Sequence, residues 1–337
     1  MVEIAATGRE GSRVRAAGAL LLALSAGALF YYKWGGALRV LQVRGHGVSP
    51  EMLVHGGLVA STLYYLHKIW PALVFGLVLG AVVRATISPR WVRSLLAGEG
   101  ARPTVCGALA GSPLMLCSCC VTPVFTGVWE RGARLGASLA VMLASPGLNV
   151  AALALTFALF PLKIAVARLV SALVLVLLGS YGIARALERT VVRAPAPARE
   201  TDDDMPRDPK AFASRFLRSL GYLVVVTFPL IIVGVIVSEL VLPHAVALGT
   251  LGNVGAVAAV ALVGVCVALP TFFEIPLALV LLQLGAPAGA AVALLIAGPI
   301  VNMPSLLVLG RETNARVAAA VAASVFVVAT LAGVAVG

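Results

Sequence analysis

Three cysteines within four positions are the residues of this chain with the clearest chemical potential. Cys117, Cys119 and Cys120 lie in the stretch Leu-Cys-Ser-Cys-Cys-Val-Thr-Pro, inside a long apolar run. Thiolates are soft ligands that select soft, thiophilic species. On a helix Cys117 and Cys120 would share a face and Cys119 would point away, whereas an unwound segment would let all three converge. We interpret the cluster as a binding site rather than as packing.

The two remaining cysteines, Cys106 and Cys266, each stand alone in apolar sequence. We interpret both as small side chains that are compatible with a membrane. A zinc site is not predicted at the cysteine cluster, because a structural zinc usually needs four ligands and no histidine lies nearby.

An acid occupies the second stretch of interest, Pro-Thr-Phe-Phe-Glu-Ile-Pro at residues 270–276. Glu274 lies deep in an apolar run with no basic residue near it in sequence. Ionisable groups inside membranes are rare and usually mark a functional site. Glu274 could carry a coupling proton, or it could be a neutral acid hydrogen-bonded to unwound backbone. Both interpretations stay open from the sequence.

Two asparagines occupy equivalent surroundings, Asn149 after Pro146 and Asn302 after Pro299. Unwound segments at these positions could present amide and backbone groups to a substrate. The alternative is a hydrogen bond between helices, worth about 1 kcal/mol. We predict that both asparagines line the substrate path.

The composition of the 337 residues is that of a membrane protein. Hydrophobic residues make up 61% of the chain and charged residues 12%, against about half and about a quarter in soluble domains. Several apolar runs approach the roughly 20 residues that span a bilayer core. The net charge of +11 then fits the positive-inside excess of a membrane protein rather than nucleic-acid binding. Five irregularly spaced cysteines do not predict a secreted disulfide framework.

The apolar runs divide the chain into four segments. We predict an N-terminal extra helix and loop over 1–52, a first membrane repeat over 53–186, a flexible cytoplasmic linker over 187–214 and a second membrane repeat over 215–337. The linker is rich in proline and aspartate and cannot bury a core. The runs themselves cover residues 16–32, 53–86, 104–129, 136–159, 164–186, 217–241, 253–284, 289–310 and 315–336.

The two membrane segments resemble each other at an offset of 153 residues. Glycines, prolines and an asparagine recur in register at this spacing, which predicts an internal duplication. The matching pairs are Pro123 with Pro276, Gly132 with Gly285, Gly136 with Gly289, Pro146 with Pro299 and Asn149 with Asn302.

The distribution of basic residues indicates the topology. If 104–129 and 253–284 are re-entrant hairpins, the arginine-rich loops all face the cytoplasm and the outer loops are nearly uncharged, as the positive-inside rule requires. The repeats are then inverted, and inverted repeats in transporters place the substrate at their interface near the midplane. We predict an all-α polytopic membrane protein with about seven transmembrane helices and two broken hairpins.

The tips of the two hairpins combine the chemical groups with breaks in the helices. Prolines there remove backbone donors, and non-helical backbone is tolerated inside a membrane only where protein covers it or where it lines a water-filled cavity. Two such tips near the centre are the geometry of a binding site. Besides the cysteines, the predicted tip residues are Ser118, Thr122 and Pro123, with Pro270, Thr271, Phe272, Phe273 and Pro276.

The chain resembles the ArsP-type permeases, a family of predicted permeases that includes organoarsenical exporters. The resemblance covers roughly residues 60–335 and rests on Cys-Ser-Cys-Cys-Val-Thr-Pro, Arg-Gly-Ala and Ser-Pro-Gly-Leu-Asn, with Phe-Glu-Ile-Pro and Ala-Gly-Pro-Ile-Val-Asn-Met-Pro-Ser in the second half. It implies a bacterial inner-membrane permease that exports trivalent organoarsenicals such as methylarsenite, with thiols from Cys117 and Cys119. At the position of Cys120 we expect a small or other residue in many relatives, a difference that would alter the substrate.

We therefore predict a proton-coupled exporter of a small thiophilic solute and no enzyme. Two alternatives are a membrane thiol–disulfide oxidoreductase that uses Cys117 and Cys120, whose spacing is that of redox thiols, and a permease for a sulfur compound or metal ion. The expected partners are the substrate and the lipid bilayer, without nucleic acid, cofactor or bound metal. Homo-oligomerisation is left open.

Overall fold

The computed structural model describes residues 89–191, 253–269, 273–283 and 285–337, most of 210–225 and individual positions elsewhere. Every regular element within these residues is a helix, which confirms the all-α prediction. Most of the predicted runs 16–32, 53–86 and 217–241, and residues 192–209 of the predicted linker, lie outside the described residues. Helical structure enters the linker from both ends, since residues 187–190 complete one helix and residues 212–214 belong to the next.

Two sets of helices follow one another along the chain. The first set comprises α1 (Pro89–Leu96), α2 (Arg102–Gly111), α3 (Thr122–Glu130), α4 (Leu135–Gly147), α5 (Val150–Leu159) and α6 (Leu162–Thr190). The second comprises α7 (Asn253–Cys266), α8 (Glu274–Gln283), α9 (Ala288–Ile300), α10 (Met303–Glu312) and α11 (Ala315–Val336). The bounds of α4 and α5 coincide with those of α9 and α10 at the offset of 153 residues, and α6 and α11 begin at equivalent positions.

Helices α4 and α5 form a bent pair, and so do α9 and α10, with bends of 41° and 43°. The sequence predicts one continuous run at each place, over 136–159 and 289–310. The runs break because an asparagine caps the second helix of each pair and competes with the helical backbone for its hydrogen bonds. A proline one turn earlier weakens the end of the first helix.

Long apolar helices mark where the chain crosses a membrane. Within the described residues, α6 and α11 are long and apolar enough to cross one, and the two bent pairs pass the same test as broken spans. The described part of the chain therefore holds between two and four spans. The predicted total of about seven includes segments outside the described residues and stays a prediction.

Helices α2 and α3 form a hairpin that returns to the end where it started. The backbone N–H of Arg134, which follows α3, donates a 2.7 Å hydrogen bond to the carbonyl of Leu96, which precedes α2. A single broken helix would hold these residues far apart, because helices rise about 1.5 Å per residue. The contacts of α2 run forward along α4, so the tip of the hairpin lies beside the α4–α5 break.

Glycines allow the first arm of each hairpin to pack closely on the next long helix. A Cβ atom built on Gly111 of α2 would lie 2.5 Å from the Val141 carbonyl oxygen of α4. At the equivalent Gly264 of α7 it would lie 2.8 Å from the Cβ of Ala297 in α9. Small residues that let backbones approach are typical of helix contacts in membranes.

We expect Gly111→Ala to destabilise the protein by about 1–3 kcal/mol, because the new methyl group overlaps the Val141 carbonyl and forces the helices apart. Thermal unfolding in detergent measures the effect.

The matched control is Gly182→Ala on α6, where an added Cβ meets nothing within 4 Å. That variant should be neutral or stabilised by up to about 1 kcal/mol through its better helix propensity. Equal stabilities for the two variants would contradict the close packing of α2 on α4.

Candidate functional site

The tip of the first hairpin is a non-helical segment, residues 115–121, between a short 3₁₀ turn and α3. It begins at Met115, whose φ of 50° is the one positive value among the described residues other than glycine. Such a backbone conformation is strained for a side chain of this size. The hydrogen bonds that hold the tip include one from the Leu116 N–H to the Ser145 hydroxyl at 3.0 Å and one from the Thr122 hydroxyl to the Cys119 carbonyl at 2.7 Å.

The three cysteine sulfurs converge within this tip, as expected for an unwound segment. All three Sγ atoms lie within 4.8 Å of one another, with Cys119 at 3.3 Å from Cys117 and 3.8 Å from Cys120. Cys117 and Cys120 are joined as a disulfide. Each of the three residues is at most 5% exposed, so the cluster is shielded from water. Once reduced, it offers three soft ligands to one small solute.

The other predicted residues of this tip are buried beside the sulfurs. Ser118 is 2% exposed and Thr122 is fully buried. Pro123 lies in the first turn of α3, where its missing N–H has no helical acceptor to lose. The proline therefore starts the returning arm rather than kinking it.

Asn149 joins the break between α4 and α5 to the thiol tip. Its Oδ1 accepts a 3.2 Å hydrogen bond from the Ala152 N–H as the N-cap of α5. Its Nδ2 donates to the Met115 carbonyl at 3.5 Å. The side chain is 1% exposed, so this amide binds protein groups on both sides.

Asn302 caps α10 in the same way, but the NH₂ group of its side-chain amide makes no hydrogen bond among the described residues. Its Oδ1 accepts from the Ser305 N–H at 3.1 Å, and the Ser305 hydroxyl bonds back to the Asn302 backbone in a capping box. Among the described residues, its buried Nδ2 has no hydrogen-bond acceptor. Buried donors normally have partners, so Asn302 differs from Asn149 in having a donor available to a ligand.

Glu274 forms a buried ion pair with Arg168, across the two halves of the chain. Oε1 of Glu274 lies 3.0 Å from Nη2 of Arg168, and the two side chains are 1% and 2% exposed. The acid therefore binds a guanidinium, not the unwound backbone that the sequence analysis considered as an alternative. Removing one partner of a buried pair typically costs about 3–5 kcal/mol.

Sequence reasoning gave Arg168 no role, since 106 residues separate it from Glu274. A signal was nevertheless present. Arg168 is the one charged residue between Lys163 and Arg185, and an isolated charge in such an apolar run needs a buried partner. No pattern along the chain identified that partner.

Hydrogen bonds continue from Arg168 to the thiol tip. Nη1 of Arg168 donates to the Thr156 hydroxyl at 2.7 Å, and that hydroxyl donates to the Ala152 carbonyl at 2.7 Å. Ala152 in turn donates its N–H to Asn149, whose amide reaches Met115. These contacts connect Glu274 in the second half with Met115, the first residue of the cysteine-bearing tip.

The second hairpin tip is described only in part. Phe273 lies in the turn before α8, and Glu274 is the first residue of that helix. Pro276 follows in the first turn of α8. The remaining predicted tip residues, Pro270, Thr271 and Phe272, lie outside the described residues.

The halves of the chain meet at the two helix breaks and at the end of α3 that is remote from the cysteine tip. A Cβ atom built on Gly147, at the end of α4, would lie 3.3 Å from the side chain of Ile300, at the end of α9. The indole N–H of Trp129 donates to the Glu312 carbonyl at 3.2 Å, which places α3 beside α10. The site is therefore built at the junction of the two helix sets.

Comparisons with known proteins agree on one family. The family model described as "ArsP_1: Predicted permease" matches residues 55–337. The UPF0718 protein YraQ of Escherichia coli (strain K12) is 30% identical over 304 residues, which cover 86% of this chain and 85% of the relative. The UPF0718 protein MJ0584 of Methanocaldococcus jannaschii is 23% identical over 269 residues, 60% of this chain and 73% of the relative. No solved structure matches.

The matched region includes the cysteine tip, both asparagine caps and the Arg168–Glu274 pair. It also covers the whole stretch, roughly residues 60–335, on which the sequence resemblance rests. The resemblance is confirmed, and the chain belongs to the ArsP_1 family of predicted permeases.

Proposed function

We propose that this permease is a secondary transporter of the bacterial inner membrane that exports a small thiophilic solute by proton antiport, with a trivalent organoarsenical such as methylarsenite as its substrate. The observation that carries the proposal is the convergence of three buried sulfurs at an unwound hairpin tip. Soft, three-coordinate elements bind such sulfur groups. The permease family supplies transport as the general activity.

Binding at the tip is a ligand exchange without oxidation. The Cys117–Cys120 disulfide is first reduced by a dithiol of the cytoplasm, which supplies two electrons and two protons and itself becomes a disulfide. The thiols of Cys117 and Cys119 then replace the two hydroxyl groups of methylarsenite, and two molecules of water leave with the thiol protons. The third thiol, Cys120, lies close enough to exchange with either of them. Burial protects the arsenic–sulfur bonds from water, and the exchange reverses when the tip opens.

The proposed arrangement is an inverted repeat, and contacts between its halves support it. Gly147 and Ile300 are equivalent positions and touch each other. In a two-fold arrangement, a residue that touches its own equivalent lies at the axis. An axis in the membrane plane would let one half rock against the other around a central site.

Contacts among residues at the helix ends support the placement of these ends on one side of the membrane, the cytoplasmic side. Arg134 pairs with Glu188 at 3.5 Å, and Asn314 donates to the Thr190 carbonyl at 3.2 Å. Lys163 instead donates to the carbonyl of Val336 at 2.7 Å. The turn after α3, the end of α6 and the start of α11 thus gather at one end, as the positive-inside rule favours.

A thiol–disulfide oxidoreductase remains the second candidate function, because Cys117 and Cys120 are joined as a disulfide. A repeat that carried electrons between two sides would be expected to place thiols in both halves. The second half has Pro270 and Phe273 at the equivalent positions. A permease for a sulfur compound or metal ion is the third candidate, and the Asn302 donor would suit a polar solute.

We expect everted membrane vesicles to take up methylarsenite when a proton gradient is imposed and to stop when it is collapsed. Cys117→Ser and Cys119→Ser should each reduce uptake by about ten-fold or more, since even supporting partners of soft ligand sites contribute that much. Cys120→Ser should reduce it less if two thiols suffice. Radiotracer or mass-spectrometric counting of arsenic measures uptake.

The matched control is Cys106→Ser, outside the cluster, which should transport as the wild type does. Arsenite and a non-thiophilic solute are offered in parallel. If the vesicles take up neither methylarsenite nor arsenite, the substrate assignment is wrong. If uptake survives in all three cluster variants, the assignment of a thiol site is wrong.

Topology gives a separate prediction. Single cysteines introduced as Arg189→Cys and Thr313→Cys should react with a membrane-impermeant maleimide from the same side, because Thr190 and Asn314 are in contact. Lys163→Cys should react from the opposite side. The unsubstituted chain provides the background, and labelling of Lys163→Cys together with the other two would contradict the proposed topology.

A further inference from the structure

The Arg168–Glu274 pair ties the second hairpin to the opposite half of the protein. Glu274 is the first residue of α8, so its carboxylate lies where the returning arm begins. Arg168 lies on α6, and the two side chains are 1–2% exposed. In so apolar a setting, each charge depends on the other for compensation.

Within the described residues, Arg168 is the charged group that faces Glu274. Helices α5 and α9, which pack against α8, contain no acidic or basic residue. Cys266 is the titratable residue of α7. Lys163, the other cation in the first half of α6, donates to the Val336 carbonyl. A change in the charge of Glu274 therefore acts most strongly on Arg168, the charged group that contacts it.

The guanidinium of Arg168 bridges two elements at once. One nitrogen binds the carboxylate on α8, and another donates to Thr156 on α5. The guanidinium is planar and carries several N–H donors, so it can bind the carboxylate and the hydroxyl at once, whereas a lysine ammonium is a point charge on a flexible side chain. Thr156 and Asn149 then lead to Met115, at the start of the thiol tip.

We propose that Arg168 is the positioning residue that converts proton binding at Glu274 into movement of the thiol tip. The inference rests on proton antiport as the proposed function and takes Glu274 as the group that exchanges the proton. A proton added to Glu274 turns the ion pair into a weaker bond to a neutral acid and leaves Arg168 as an uncompensated buried cation. Such a cation favours entry of water, so α8 separates from α6.

Movement of Arg168 then changes its bond to Thr156. Because Thr156 lies on the helix that Asn149 caps, the amide that holds the Met115 carbonyl moves with it. Deprotonation restores the pair and closes the tip. In this scheme, proton binding opens the thiol tip and proton release closes it, without contact between the substrate and Arg168.

Hydrogen–deuterium exchange on the purified full chain in lipid nanodiscs tests this without any substrate. Exchange is followed for peptides covering α8 and the tip over about pH 4–9, a range that begins near the ordinary pKa of a free glutamate side chain, and is corrected for the intrinsic pH dependence of amides. In the wild type, acid should speed exchange in both segments by about ten-fold or more, as expected when a charged hydrogen bond is lost.

Three variants separate the roles of the residues. Arg168→Gln with Glu274→Gln replaces the pair by a neutral one of similar size, avoids a lone buried charge, and should remove the pH response of both segments. Thr156→Val and Arg168→Lys should keep the response of α8 and lose that of the tip, because the bridge is cut on the α5 side.

The matched control is Glu188→Gln, which removes the exposed pair with Arg134 and should leave both responses as in the wild type. A pH response of α8 that persists in the double glutamine variant would overturn the role of the pair. A tip response that persists in Thr156→Val and Arg168→Lys would overturn the role of Arg168 as a bridge. Absence of methylarsenite uptake in vesicles would refute the proposed substrate and leave this result unaffected.

Discussion

Backbone groups that leave a helix inside an apolar protein must find new partners, and the functional region of this chain depends on how that requirement is met. Ser145 binds the backbone of Leu116 at the thiol tip. Asn149 and Asn302 cap the helices that follow the two breaks. Each of these residues has a short, buried polar side chain. That side chain lies within reach of an unwound segment whose backbone groups would otherwise lack hydrogen-bond partners.

The same partners decide where chemistry can occur. On a regular helix, the side chain of Cys119 would point away from those of Cys117 and Cys120. Only the unwound tip brings the three sulfurs together. The hydrogen bonds that hold the tip are therefore also what creates a ligand cluster. Stability and ligand geometry come from one set of contacts, so substitutions at Ser145 or Asn149 should alter both.

Much of the architecture could be predicted from the sequence, because composition and repetition are visible along one chain. The low charge content predicts a membrane protein, and the offset of 153 residues recurs in the helix bounds. The helix breaks were predicted less well, since the apolar runs continue through them and only the Pro–Asn spacing indicates them. Arg168 was missed because its partner is a long-range contact, set by the packing of α6 against the second half. The number of spans depends on segments outside the described residues.

The halves share a scaffold but not their chemistry. A capping asparagine occurs in both, Asn149 in the first half and Asn302 in the second. The cluster of three cysteines lies in the first half and Glu274 in the second. At the position equivalent to Arg168 stands Val321, and at the position equivalent to Glu274 stands Val121. The first half thus carries the three clustered thiols and Arg168 and the second half carries Glu274, and the ion pair between Arg168 and Glu274 crosses the junction.

The close glycine contacts have a mechanical consequence. Gly111 lies against the Val141 backbone and Gly264 against the Cβ of Ala297, so no flexible side chain separates α2 from α4 or α7 from α9 at these points. We expect each pair to move as one unit. Within the described residues, bending is then expected to concentrate in the peptide groups at 148–149 and 301–302, where the helices are interrupted.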